Sequence, residues 1–260
     1  MSKRNSFVSD LFSLDGRRVL LTGASSGLGR QFAPTLSQAG AHVILASRGV
    51  DKMNEVANNI ESLGGSCEIV ALDVRSREGI RSCIEKLELT GPLDVLINNA
   101  GIAVVKAPQN LTDDDWDSVY ETNLRGAWVL AQELIKRRLA DGRACSIVNI
   151  ASVLGLGGIG HVAPYAAAKA GLMNVGRDLS TDLAKEGIRI NAIAPGYIET
   201  EMNEGWLKTE GGERLRKKIP ARRFGRCRDL DGALLYLASD ASRYTNGSVI
   251  TIDGGFSAAL

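Results

Sequence analysis

The 260 residues are 44% hydrophobic and include 29 glycines, against a usual glycine share of roughly 7%, and the chain is read as one globular domain, 1–260, with a single large core. The 31 Lys and Arg nearly cancel the 30 Asp and Glu, leaving a formal charge of +1, which excludes a polycation built for nucleic acid and an acidic solvating tail alike. Only two histidines, His42 and His161, and four cysteines without a C-x-x-C pair argue against a metal centre and for free thiols in a reducing cytoplasm, and no run reaches the roughly 18 apolar residues of a membrane span.

β-rich runs at Arg18 to Thr22, His42 to Ala46, Glu68 to Leu72, Val95 to Asn98, Ser146 to Ile150, Arg189 to Ile193 and Val249 to Ile252 alternate with helically spaced segments. Leu28, Phe32 and Leu36 make one such segment, and Leu130, Leu134, Ile135 and Leu139 another. Near-continuous apolar strands separated by helices predict an α/β fold, a doubly wound seven-stranded parallel sheet of the Rossmann kind with helices on both faces. His42, inside the second strand, reads as a packing residue.

The first strand runs into Thr22-Gly23-Ala24-Ser25-Ser26-Gly27-Leu28-Gly29 and then directly into a helix. Glycines there permit a tight turn and a close approach of backbone N–H groups to a pyrophosphate, with the helix N-terminus facing the negative charge. Gly155-Leu156-Gly157-Gly158-Ile159-Gly160 matches the generic G-x-G-x-x-G pattern and also follows a strand. Context separates the two. The strand after Gly23 ends about 20 residues downstream, where a ribose-reading residue belongs, whereas the same distance beyond the second run falls inside a helix near Asp178. The first run is therefore the cofactor loop, and the second a wall beside the reaction site.

At the ribose-reading position stand Ser47 and Arg48. No carboxylate is present to repel a 2′-phosphate, and a guanidinium can hold one with paired hydrogen bonds, so NADP(H) is favoured over NAD(H). The plainer reading of Arg48 is a solvated surface arginine.

Tyr165 and Lys169 lie one turn apart in a helical run from Tyr165 to Leu183, so ammonium and phenol share a face. A neighbouring cation stabilises phenolate and is expected to lower the phenol's pKa toward neutrality, as proton transfer requires. Ser152 stands just past the fifth strand, at the edge where open α/β sheets place ligands. Its hydroxyl can hydrogen-bond a substrate carbonyl and steady the charge that develops on the oxygen.

These pieces resemble the short-chain dehydrogenase/reductase family, in its compact single-domain form, from about Leu14 to the C-terminus. The loop Thr22 to Gly29, Leu72-Asp73-Val74, Asn98-Asn99-Ala100-Gly101, Asn123 in Thr-Asn-Leu-Arg-Gly, Ser152, Tyr165 with Lys169, Asn191 to Thr200, and Ile252-Asp253-Gly254-Gly255 occur in the family's order and spacing. The resemblance implies catalytic roles for Asn123, Ser152, Tyr165 and Lys169. It implies a cofactor site made of Gly23, Ser25, Ser26, Gly27, Leu28, Gly29, Ser47, Arg48, Asp73, Val74, Asn99, Ala100, Gly101, Tyr165, Lys169, Pro195, Gly196, Ile198 and Thr200. Asp73 is expected on the adenine, Lys169 on the nicotinamide ribose, and Ile198 and Thr200 at the carboxamide. Asn123 is expected to kink its helix and hold a water in a proton relay through Lys169 to Tyr165.

The implied activity is ketone and secondary alcohol interconversion, similar to the 3-oxoacyl reductase and gluconate 5-dehydrogenase branches. An NAD-linked polyol or sugar-acid dehydrogenase and a non-catalytic cofactor-sensing regulator are the alternatives. The intact catalytic set argues against the second. The family also implies a homotetramer joined through the long helices after Asp113 and Ala163.

The stretch from Tyr197 to about Arg228 is long and interrupted by glycine and proline, which suggests a substrate lid. Met202, Trp206 and Leu207 are candidates for an apolar substrate wall, or for an apolar face packed on the body. Between Glu213 and Asp229 eight cations face two anions; an anionic substrate or carrier is one explanation, and a solvated face with some arginines locked by nearby carboxylates is the favoured one. His161 is expected at the pocket mouth without a role in proton transfer.

Overall fold

A computed structural model of the protein describes residues 3–201 and 203–259, with side chains from Phe7 onward. Its centre is a seven-stranded parallel sheet of β1 (Arg18–Thr22), β2 (His42–Ser47), β3 (Ser66–Ala71), β4 (Val95–Asn98), β5 (Cys145–Ile150), β6 (Ile188–Pro195) and β9 (Val249–Ile252), in the order β3-β2-β1-β4-β5-β6-β9. The order reverses at β1, whose neighbours are β2 and β4. Ligands of open α/β sheets bind at such a reversal, beyond the carboxyl ends of the strands.

Helices α1 (Lys3–Phe12), α2 (Gly27–Gln38), α3 (Val50–Ser62), α4 (Arg77–Thr90), α5 (Asp113–Tyr120), α6 (Gly126–Asp141), α7 (Ala163–Leu183), α8 (Glu204–Leu207), α9 (Glu210–Lys218) and α10 (Asp231–Ala238) complete the chain. The sheet is covered on both faces, and side-chain alternation along β1 shows it. Val19 and Leu21 join Phe32, Leu36, Met53 and Leu234 of α2, α3 and α10, while Leu20 joins Ile84, Leu130 and Leu134 of α4 and α6. A strand that feeds two cores must be apolar at every position, which is why these strands stand out in the sequence.

Four predicted strands shift: the fifth begins at Cys145 and the sixth spans Ile188–Pro195. The third begins at Ser66 rather than Glu68, because its register pairs Ser66 with His42. The second ends at Ser47. His42 is not a packing residue: its ring is about one-third exposed, with Nδ1 2.9 Å from Ser66 Oγ and Nε2 3.5 Å from Glu68.

The 197–228 segment folds back on itself. Its ends, β7 (Ile198–Glu199) and β8 (Gly225–Arg226), pair as a two-stranded parallel ladder, with α8 and α9 between them. Leu207, Ile219 and Phe224 of the segment bury themselves against Val153, Tyr197 and Phe256. Leu207 therefore packs on the body, while Trp206 is half exposed and Met202 lies outside the described residues. Among the described residues, no helix is long and apolar enough to cross a membrane.

Candidate active site

The floor of the site is the junction of β1 and β4. The Thr22 hydroxyl, fully buried, donates to Ile97 O at 3.2 Å and accepts the N–H groups of Asn99 and Ala100 at 3.0 and 3.1 Å. The Asn99 amide donates back to the carbonyls of Thr22 and Gly23 at 2.9 and 3.2 Å. Asn99 thus shapes the glycine loop through its backbone.

The glycines of that loop are fixed by geometry. Gly23 and Gly27 adopt φ of +67° and +51°, a left-handed conformation that side chains disfavour. A Cβ on Gly29 would lie 2.2 Å from Gly23 O. Ser26 caps α2 in extended backbone without using its side chain on the helix amides. The N-terminal donors of α2 therefore face a glycine-lined hollow, an arrangement suited to a phosphate.

The residues expected on the adenosine side follow along the strand ends. Ser47 Oγ donates to Ser25 Oγ at 2.9 Å, and exposed Arg48 comes next. Asp73 and Val74 sit beyond β3. Gly126 lets α6 begin directly beneath Val74, whose carbonyl would be 2.5 Å from a Cβ there. On the opposite wall, Thr200 comes beside Gly27, its Cγ2 3.8 Å from where a Cβ would stand. Thr200 is held by Asn203, whose Oδ1 accepts the Thr200 N–H at 2.9 Å while its Nδ2 donates to Ile198 O at 2.8 Å. Ile198 itself is buried, and Gly196 lies so near Asp253 that a Cβ would meet it at 2.6 Å.

The residues expected to react gather where β5 ends. Ser152 starts a short 3-10 turn and its Oγ accepts the Leu154 N–H at 3.2 Å. Ser152 lies near enough to the Tyr165 phenol of α7 to pull its pKa down. Lys169, one turn on, is buried; its Nζ donates to Ile150 O at 2.7 Å and lies 5.6 Å from the centre of the Tyr165 ring. Asn123 is fully buried in a π-helical turn, Glu121–Arg125, between α5 and α6. Both ends of its amide are spent on Ile102, Oδ1 accepting the N–H and Nδ2 donating to the carbonyl, each at 2.8 Å. Gly101 leaves room for this corner, since a Cβ there would stand 3.4 Å from Asn123 Oδ1 and 3.5 Å from Lys169 Nζ.

The electrostatics correct one expectation. Burial pushes the Tyr165 phenol up from its ordinary value, and the Ser152 hydroxyl opposes that rise. A net lowering by Lys169 is not found. Lys169 is itself pushed down to about 8, because burial disfavours its ammonium.

Residues outside the expected set also shape the site. Arg75 grips Asp73, and its signal in the sequence is only its place two residues on. Gly155 is another: a Cβ there would stand 2.7 Å from Ala170 N and 2.8 Å from the Lys169 carbonyl carbon, so the turn carrying Ser152 packs against the backbone of the helix carrying Tyr165. His161 is exposed, with φ of +62°, and its carbonyl accepts the Lys106 N–H at 2.9 Å. In the basic stretch, Arg214 pairs with Glu210, Arg216 with Glu213 and Arg223 with Asp229, at 3.5, 2.8 and 2.6 Å. Those three arginines are locked by carboxylates, as the plainer reading expected.

The family described as Enoyl-(Acyl carrier protein) reductase matches residues 23–257. A gluconate 5-dehydrogenase of Gluconobacter oxydans is 36% identical over 253 residues, 96% of this chain and 98% of that protein. A 3-oxoacyl-(acyl-carrier-protein) reductase of Thermotoga maritima is 37% identical over 243 residues, 93% and 98% of the two chains. Among solved structures, a gluconate 5-dehydrogenase from Burkholderia cenocepacia in complex with NADP and tartrate superposes with a TM-score of 0.92 at 34% identity, covering 97% of this chain and 100% of that one. The chain belongs to the short-chain dehydrogenase/reductase family. It is an oxidoreductase acting on CH–OH and C=O groups.

Proposed function

We propose that the protein interconverts a ketone and a secondary alcohol with NADP(H), using Tyr165 as the general acid and base. The observation that carries this is the buried ammonium of Lys169, with no carboxylate partner among the described residues, 5.6 Å from the ring centre of a phenol whose other polar neighbour is Ser152. Burying an amine is costly, and here it places a cation where a phenolate would form.

The hollow at Gly23, Gly27 and Gly29 fits a dinucleotide pyrophosphate, because the first amides of α2 have no side-chain cap and the left-handed turn at Gly23 and Gly27 precedes them directly. When bound, the nicotinamide supplies hydride to the carbonyl carbon or takes it from the alcohol. In the reducing direction Ser152 donates a hydrogen bond to the carbonyl oxygen and steadies its growing charge. Tyr165 delivers the proton to that oxygen, and the Lys169 ammonium stabilises the phenolate left behind. Lys169 then relays a proton from solvent to restore the phenol, while Asn123, its amide spent on Ile102, holds the helical turn behind it. Alcohol oxidation reverses the same steps.

Ser47, Ser25 and Arg48 would receive the 2′-phosphate; the NADP bound in the related Burkholderia protein supports the choice of cofactor. Ketoacids and 3-oxoacyl thioesters are the substrate classes suggested by the relatives. The stacked, half-exposed rings of Trp116 and Tyr120 on α5, 6.0 Å apart, support packing of that helix against a second copy in a homotetramer. The deciding experiment compares wild type with Tyr165→Phe on a panel of ketones and alcohols. The variant should lose about 10² to 10⁴ in kcat while NADPH still raises its Tm; full turnover in Tyr165→Phe would remove Tyr165 from the chemistry.

A further inference from the structure

Arg48 and Asp73 stand at the carboxyl ends of adjacent strands. The last rung of the β2 and β3 ladder pairs Ser47 with Ala71, and Leu72 N–H donates to Ser47 O at 2.9 Å. Arg48 stands one residue beyond that rung and Asp73 two, a cation and an anion at the same sheet edge. Each creates a difficulty for a 2′-phosphate at this edge. The Asp73 carboxylate would repel it, and the same carboxylate is the natural partner to draw Arg48 away.

Neither happens, because Arg75 takes Asp73 first. Its Nε lies 3.2 and 3.3 Å from the two carboxylate oxygens and its Nη2 2.9 Å from Oδ2, while the Arg75 N–H donates to Oδ1 at 3.0 Å. Among the described residues Arg48 has no ion pair. The Asp73 carboxyl is held below its usual range chiefly by the Arg75 hydrogen bonds, and Arg48 contributes through space. Arg48 is thus close enough to feel Asp73 without being bound by it.

The geometry points to Arg75 as a positioning residue for cofactor choice: by occupying Asp73 it masks an anion beside the 2′-phosphate position and leaves the Arg48 guanidinium free for the phosphate. This rests on the NADP(H) reading and deepens it. The sequence suggests a preference set by one residue, Arg48. The structure makes it a property of three, in which an acidic residue needed for adenine is compatible with a phosphate next door only because a second arginine is committed to it. Both side chains of the pair are exposed to about 40%, so solvent screens the effect and its size is that of a surface ion pair.

The test is a set of NADPH and NADH dissociation constants, measured by fluorescence titration at fixed ionic strength for wild type, Arg75→Gln, Asp73→Asn, the double variant and Arg48→Asp. Arg75→Gln should weaken NADPH about two- to fivefold and leave NADH unchanged. The same substitution made on top of Asp73→Asn should no longer shift the NADPH to NADH ratio. If Arg75→Gln weakens NADPH equally with and without Asp73→Asn, Arg75 touches the phosphate itself and the inference is overturned. An equal loss for NADH and NADPH would reduce Arg75 to a structural support and overturn it as well. The Arg48→Asp arm speaks to the underlying reading: if it leaves the preference unmoved, the 2′-phosphate assignment falls, and the role of Arg75 with it.

Discussion

The two glycine runs of this chain answer to the same pattern and do different work. In the first, Gly23 and Gly27 occupy left-handed backbone and Gly29 has no room for a Cβ; the run closes a turn between β1 and α2. In the second, Gly155 is also without room for a Cβ, though less tightly than Gly29, Gly160 is left-handed with open space around it, and Gly158 has neither constraint. A G-x-G-x-x-G match therefore reports a phosphate cradle only when a strand feeds it and a helix N-terminus completes it. Where the strand is instead followed by a loose loop, as after β5, its first glycine serves packing and the rest serve slack.

Breaking the first run gives the largest effect. Gly29→Ala forces a Cβ into the Gly23 carbonyl, so the turn and the start of α2 must separate. A cost of about 3 kcal/mol is expected, read as a lower denaturant midpoint, together with loss of the NADPH-dependent rise in Tm. Gly155→Ala comes next and falls on a different observable. Pushing the Ser152 turn off α7 displaces Ser152 relative to Tyr165, and a shift near 1 Å lowers kcat about 10²-fold. NADPH binding should be kept. If both variants lose cofactor binding alike, the two runs share a function and the contrast collapses.

What can be read from the sequence follows the same division. The strands and the cofactor loop are legible because they are local: apolar runs such as Val95 to Asn98 match their observed bounds, and the loop needs only its own glycines plus a strand and a helix beside it. The pairing of Tyr165 and Lys169 is legible from helical spacing alone. Contacts between distant segments are not. Lys169 reaches Ile150 O across 19 positions, and Asn123 spends its amide on Ile102 across 21. Spacing points the Tyr165 shift in the wrong direction for the same reason, since it reveals a neighbouring charge and not the degree of burial.

Two smaller effects sharpen the contrast on the catalytic side. Lys169 is protonated in the unfolded chain up to its ordinary value of 10.5, but in the folded protein it loses its proton near 8. Between those values the unfolded state binds more protons, so this group adds stability as pH rises and removes it as pH falls. From pH 7 to 9.5 the cofactor-free wild type should gain about 2 kcal/mol relative to Lys169→Met. The difference is the quantity to follow, because burial pushes the Cys145 thiol up to about 12 and works the other way above 9 in both proteins. A constant gap between the two proteins would mean that Lys169 stays charged in the fold.

The smallest effect belongs to Gly158→Ala. Its backbone is not left-handed and nothing lies within 4 Å of the new Cβ, so no native contact is strained. The substitution instead narrows the unfolded ensemble, and stability should change by less than about 0.5 kcal/mol, or rise slightly. On the sequence-based expectation that the loop walls the site, any change it makes should appear in KM for substrate, with kcat and NADPH affinity kept. A Gly158→Ala protein that lost NADPH affinity would show that the second run touches the cofactor after all, and that its open space is filled by a phosphate.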